Sequence, residues 1–400
     1  MSLAVLATAF TFNLLGRGTG EIYTVFLLPL ERDMGWTRSQ MTSVYSVYML
    51  VGGFVAPLVG TLFDRFGPRV VYTVGVLCLG AANLLASRMT TLAEFFFCNG
   101  VMIGIGVALV GMVPASGLLV RWHRSRLSKA ISIAFSGAGC GTLIFVPLAQ
   151  ALLGAMDWRG TYRTIGWGLI VLGPLLAVLL PWGRYAAGHP EIPHPTASKA
   201  VGDDGWTLRR ALRSPGYWGL AAIFACTSIG MFTVVPQLVA YLIDAGFPPL
   251  TAASTYGTIG VLSVVSVVTT GFVAERAGYR QTLTASFTCS VLGIAVLFAM
   301  SFRPDAWLLA AFTFIFGLAM GTRGPIISAI CARKFAGPRV ATIYGTIYSM
   351  NAVGGAIGAL LGGALHDLTG GYRVGFMVSV CALTIACLPI WLVRELREFR

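Results

Sequence analysis

Three charged residues stand where charge is costly. Arg17 and Glu21 lie four residues apart within the first apolar stretch of the chain, and Arg323 lies within a later one, in the run GTRGPIISA. A charge at the centre of a bilayer costs at least about 2.5 to 3.5 kcal/mol on insertion scales, so such side chains face a protein interior or water and mark sites. A spacing of four places Arg17 and Glu21 one turn apart on the same helical face. The planar donor forks of the two arginines suit a carboxylate or other oxyanion, and a buried carboxylate can take up and release a proton. A structural role is the competing reading: Glu21 neutralises Arg17 within one helix, and Arg323 caps carbonyls around Gly321, Gly324 and Pro325.

The elements that must position these residues are membrane helices. The chain has 400 residues, 56% hydrophobic and only 11% charged, whereas soluble domains carry about 25% charged residues. Its apolar residues recur in blocks of the length a helix needs to cross ~30 Å of hydrocarbon. Cutting at the polar punctuation predicts twelve spans, near 2 to 30, 37 to 61, 70 to 88, 91 to 119, 129 to 153, 162 to 182, 215 to 243, 249 to 274, 281 to 301, 305 to 332, 340 to 365 and 374 to 394. A Pro- and Gly-rich polar stretch separates the sixth from the seventh, which divides the chain into residues 1–182, a linker 183–214 and residues 215–400. The expected fold class is an all-α membrane protein of two six-helix bundles.

Alternate connections carry 19 and seven Lys and Arg residues, Arg17 and Arg323 standing apart within spans. The positive-inside bias puts both termini and the linker in the cytoplasm. That orientation also accounts for the net charge of +13 without nucleic acid, because the basic residues sit between spans rather than in one stripe. Short loops and the absence of any N-x-[ST] site point to a bacterial inner membrane.

Enzyme chemistry finds no footing. The lysines Lys129, Lys199 and Lys334 follow Ser or Arg, so no GK[ST] phosphate loop exists. His123, His189, His194 and His366 make no H-E-x-x-H, and the eight cysteines lie inside apolar blocks without CxxC spacing. No cofactor and no metal is expected.

A repeat organises the chain. The connection after span 2 reads GTLFDRFGPR and that after span 8 reads GFVAERAGYR, so Gly60, Asp64, Arg65, Gly67 and Arg69 map onto Gly271, Glu275, Arg276, Gly278 and Arg280 at a constant offset of 211. The same offset pairs Gly106 with Gly317 and Pro114 with Pro325 in spans 4 and 10. Glycines allow a tight reversal, and the carboxylate can pair with basic side chains or neighbouring helix N-termini, which makes a latch that forms and breaks.

This doubled G-x-x-x-[DE]-R-x-G-x-R spacing resembles the signature loop of the major facilitator superfamily. The resemblance covers the whole chain and implies two six-helix bundles, a site near the midplane lined by spans 1, 4, 7 and 10, and alternating access. The stretches CNGVMIGIG, RWHRSRLSKAISIAFSGAGCG and LRRALRSPGYW resemble the bacterial monocarboxylate transporter-like and oxalate/formate antiporter-like branch. Two departures stand against that branch: span 8 lacks its carboxylate-binding arginine, and span 11 lacks the lysine of the oxalate exchanger.

The resemblance and the intramembrane charges together imply a secondary carrier of a small organic anion, a monocarboxylate, by proton symport or anion exchange. Arg17 and Arg323 would bind the anion, and Glu21 would carry the proton. Asp64, Arg65, Arg69, Glu275, Arg276 and Arg280 would gate the cytoplasmic side. Tyr48, Gln237, Tyr344, Tyr348 and Asn351 are further polar candidates for the substrate, or else satisfied helix-to-helix hydrogen bonds. A proton-coupled efflux carrier for an amphipathic compound is the alternative. The expected partners are the substrate, protons and the lipid bilayer, with the carrier a monomer. Glu94, Asp157 and Asp244 lie near span ends and read as solvated, and the glycines Gly137, Gly139 and Gly141 read as a close helix-packing surface.

Overall fold

A computed structural model of the protein describes residues 2–122, 127–187, 206–335 and 340–397. Nearly all of these are helical. Ten helices among them are long and apolar enough to cross a membrane. One of the ten, Arg38–Ala86, is spans 2 and 3 joined across Gly67, whose φ of 76° and ψ of 171° interrupt the helix. Span 1 is more polar and runs as Ser2–Glu21 followed by Tyr23–Met34. The twelve expected spans are thereby present, in a multi-pass all-α membrane fold.

The repeat is visible in the backbone. Gly278 has a φ of 84°, so both glycines of the duplicated loop adopt positive φ, which side chains with a Cβ rarely do. Spans 4 and 10 also break at matching places. Span 4 divides at Gly111 into Ile103–Val110 and Met112–Val120. Span 10 divides at Gly321 and Thr322 into Ala306–Met320 and Arg323–Lys334. Each break falls just before the repeat-related Pro114 or Pro325, because proline has no N–H to donate and its ring crowds the carbonyl four residues earlier.

Contacts divide the chain into two compact units. One comprises Met1–Thr196 with Pro236–Val261, and the other Ala197–Val235 with Leu262–Arg400. In the first, span 5 (Leu127–Ala155) lies against span 1. A Cβ on Gly137 would stand 2.3 Å from the Phe10 carbonyl oxygen, and one on Gly141 2.2 Å from that of Leu14. Only glycine permits that approach, which sets span 1 and its charged pair in place. In the second unit, Gly354 and Gly358 of span 11 meet the backbone of Ala225 and Ile229 in span 7 in the same manner.

The register of 211 continues past the last span of each half. Short helices Trp182–Ala187 and Arg394–Arg397 bury Tyr185 and Leu396, which the offset pairs. Tyr185 accepts the indole N–H of Trp122 on its carbonyl at 2.9 Å. In the other half Glu395 accepts from Lys334 at 2.6 Å, from Ser214 at 2.8 Å and from the Gly216 amide at 3.0 Å, at the N-terminus of span 7. The Lys334 ammonium, aided by those hydrogen bonds, holds the Glu395 carboxyl below the usual carboxylate range. The carboxyl titrates lower when docked than when free, so docking is strongest at neutral pH and weakens as pH falls through the lowered value. Amide exchange of the tail, corrected for the intrinsic pH dependence of exchange, is expected to speed up by about two- to fivefold on acidification. In Glu395→Gln it is expected to be fast at every pH.

Candidate functional site

Glu21 is the most enclosed charge among the described residues of the first unit, with 0% of its surface exposed. It ends the helix Ser2–Glu21, where the backbone dipole presents its negative end and does nothing for a carboxylate. Its charge is met by side chains instead. Arg17 Nη2 lies 2.7 Å from Oε1, and the Arg17 side chain keeps 32% of its surface exposed. Tyr45 of span 2 donates its hydroxyl to both carboxylate oxygens, at 3.2 and 3.3 Å. Tyr256 of span 8 donates to Oε2 at 2.6 Å. Tyr48 brings its hydroxyl to span 1 beside Gly20, where a Cβ would lie 2.7 Å from it.

The arrangement is one buried carboxylate, one half-exposed guanidinium and a wall of phenols. Arg17, Tyr45 and Tyr256 share one anion, and the cation is the member that reaches out of the enclosure. Such a group can exchange its partner: a second carboxylate arriving at Arg17 can replace Glu21 once Glu21 is neutral.

Of the residues that the sequence singles out, Arg17, Glu21 and Tyr48 come together here, and the predicted intrahelical pair is present. Gln237 also lies in the first unit. It is buried, closes the 3-10 turn Val235–Gln237 that interrupts span 7, and its Oε1 has no hydrogen-bond partner among the described residues. Tyr45 and Tyr256 were missed by sequence reasoning. Tyr45 sits one turn before Tyr48 and carries a weak signal, whereas a lone tyrosine in an apolar span carries none. Asp244 is exposed, as the solvated reading has it, and also takes Arg38 Nη2 at 3.4 Å, while Arg38 Nε lies 2.7 Å from Glu31. Arg38, counted in the sequence as a loop charge, is 3% exposed because the Thr37–Gln40 capping box begins its helix there and turns it inward.

Arg323 belongs to the second unit and is 3% exposed. It opens the helix Arg323–Lys334, donates to the Ser286 carbonyl at 3.2 Å and to the Ser290 hydroxyl, and lies over the Phe287 ring. Its carbonyl partner is thus in span 9, not around Gly321 and Gly324. Nε and Nη1 have no hydrogen-bond partner among the described residues. An incompletely satisfied buried cation is costly, and an apolar residue of similar size is often neutral or stabilising in such a place. Arg323→Met is expected to melt no lower than wild type while transport falls at least about tenfold. Thermal unfolding and uptake on one preparation check this, and unchanged uptake would make Arg323 a packing residue.

Tyr344 and Tyr348 of span 11 pack their rings near Phe224 of span 7. Asn351 accepts the Ser228 hydroxyl across the same two spans. At the duplicated loops, Asp64 pairs with Arg121 at 3.6 Å and is itself largely exposed. Arg65 lies over Phe66, Arg69 lies beside Trp182 and Arg184, Arg276 is exposed, and Arg280 stacks 4.1 Å above the Trp391 ring. The Glu275 side chain lies outside the described residues, as do residues 123–126, 188–205 and 336–339.

A family model described as the Major Facilitator Superfamily matches residues 2–307 and again residues 264–399. The chain belongs to the major facilitator superfamily. This major facilitator protein is therefore a membrane transporter and not an enzyme. It is 26% identical over 380 residues to monocarboxylate transporter 13 of Bos taurus, covering 94% of this chain and 84% of the relative. It is 26% identical over 401 residues to monocarboxylate transporter 3 of Rattus norvegicus, covering 96% and 77%. It is 23% identical over 399 residues to YcxA of Bacillus subtilis, named an uncharacterized MFS-type transporter, covering 96% and 93%.

Proposed function

We propose that this protein carries a small organic anion, a monocarboxylate, together with a proton. The observation that carries the reading is the ion pair between a fully buried Glu21 and a half-exposed Arg17 at 2.7 Å.

The argument is one of charge. With Glu21 ionised and the site empty, the two side chains sum to zero. When Glu21 takes a proton, Arg17 loses its partner and its fork is available to a substrate carboxylate. The loaded site, with Arg17 positive, Glu21 neutral and the substrate negative, again sums to zero. A proton alone leaves an excess positive charge and an anion alone an excess negative one. Unbalanced charge is costly in a low-dielectric interior, so the empty and the fully loaded forms are the ones that cross between the two sides of the membrane. One proton then accompanies one monoanion. The names of the monocarboxylate transporters above support the same substrate class.

Arg17 is the anion ligand in this scheme, with Tyr48 and Gln237 as polar neighbours in the same unit, and Glu21 is the proton carrier. Arg323 acts in its own unit by holding the broken span 10 to span 9. Asp64 and Arg121 close the duplicated loop on the basic, cytoplasmic side. Proteoliposomes test the reading: an inward proton gradient should drive accumulation of a short monocarboxylate without generating a membrane potential. Accumulation of lipophilic cations instead, with monocarboxylates inert, would replace it by proton-coupled efflux.

A further inference from the structure

We infer that Tyr256 makes docking of the segment Pro236–Val261 depend on the protonation state of Glu21. The inference rests on the reading of Glu21 as the proton carrier and adds the residue through which its charge acts on the backbone.

The segment comes from the second half of the sequence, yet its contacts place it in the unit formed by Met1–Thr196. Its beginning coincides with an irregularity, the 3-10 turn Val235–Gln237 containing Pro236, after which Gln237 has a φ of −103° and a ψ of 0°. A helix interrupted by proline bends there at little cost. Polar ties that hold the segment to spans 1 and 2 include Asp244 with Arg38 at 3.4 Å, and Tyr256 with Glu21 at 2.6 Å. Close helix approaches add Gly257 against Leu143 and Gly260 against the Gly139 carbonyl and Thr142.

The Tyr256 tie ends on the one group that changes charge in the transport cycle. A phenol donating to a carboxylate makes a charge-assisted bond, roughly twice as strong as one to a neutral acceptor. When Glu21 gains a proton, the acceptor is neutral and the tie weakens to an ordinary hydrogen bond. The ionisable groups around the carboxylate are Arg17 on its own helix, Tyr45 and Tyr48 from span 2 and Tyr256 from span 8. Spans 4 and 5 bring Val107, Val110 and Phe145 to this stretch of span 1, all uncharged. Among these groups Glu21 is the one that the proposed function has take up and release a proton. Tyr45 also donates to Glu21, from span 2 rather than from the segment. A proton arriving at Glu21 thus loosens a helical segment as well as freeing Arg17.

Amide exchange of residues 238–261 in the intact protein, corrected for the intrinsic pH dependence of exchange, tests this. In wild type the segment is expected to be about tenfold more protected in alkaline than in acidic buffer, the difference between a charged and a neutral acceptor. In Tyr256→Phe the low, acidic level is expected at both pH values, and in Tyr45→Phe the wild-type difference is expected to persist. A Tyr256→Phe protein that keeps the wild-type difference overturns the inference. Should that variant not fold, Glu21→Gln carries the same test: acid-like protection at both pH values supports the tie, and alkaline wild-type protection overturns it. Uptake separates the two claims. If Glu21→Gln loses the exchange difference yet still accumulates substrate on a proton gradient, the tie stands and the proton-carrier reading falls.

Discussion

Glu21→Gln is expected to abolish proton-driven accumulation while leaving exchange of labelled for unlabelled substrate in place. The amide copies the shape and neutrality of the protonated carboxyl, so Arg17 is permanently released from its 2.7 Å pair. Substrate no longer competes with an internal anion, and binding in alkaline buffer should tighten by about tenfold or more relative to wild type. Binding should also lose its pH dependence. In wild type the carboxylate occupies Arg17 at high pH and yields it as the pH falls, so anion affinity rises on acidification. Concentrative uptake in proteoliposomes under an imposed proton gradient should drop at least about a hundredfold, since the empty variant carries the unbalanced charge of Arg17 and returns only with substrate bound. Counterflow measured on the same vesicles separates loss of coupling from loss of the carrier. A Glu21→Gln protein whose uptake keeps the wild-type pH profile would remove Glu21 from the proton path.

Arg17→Ala is expected to fail twice, in stability and in binding, and a double substitution separates the two failures. The single change leaves Glu21 buried among phenols with no cation, and breaking a buried pair this way costs about 3 to 5 kcal/mol. Arg17→Ala combined with Glu21→Gln removes both charges, so its melting temperature should recover towards that of wild type. Its binding of monocarboxylates should not recover, because the guanidinium fork is gone. Arg17→Lys keeps the charge and loses the planar pair of donors, and its affinity should fall by about one to two orders of magnitude. Thermal unfolding with and without a short monocarboxylate reads both quantities, since a ligand of the folded state raises its melting temperature. If the double variant still responds to the anion as wild type does, Arg17 is structural.

The pair at the centre of both predictions was legible from spacing. Arg17 and Glu21 sit four apart in a helix whose length and hydropathy identify it as a span, and burial makes the charges find one another. The cage around them was not legible. Tyr45 and Tyr256 are unremarkable aromatic residues in apolar runs, and Tyr256 lies 235 positions from Glu21 along the chain. No periodicity reports which spans meet. Asp244 shows the same limit: its place at a span end gives its exposure, but only the neighbouring helix brings Arg38 to it.

The sequence by itself determined the architecture and the family, for reasons that are local. Hydrocarbon thickness dictates span length, proline and glycine dictate where spans 4 and 10 break, and a repeat at one constant offset dictates two related halves. Tertiary structure decided the partners. It directed Arg323 to Ser286 and Ser290 of span 9, carried the repeat on to Tyr185 and Leu396, and attached Pro236–Val261 to the unit that holds Glu21. The physical reason is that helix formation in a membrane is settled residue by residue by backbone hydrogen bonding. Which side chains meet depends instead on how closely two helices approach, and here that distance is set by Gly137 and Gly141 against the carbonyls of Phe10 and Leu14.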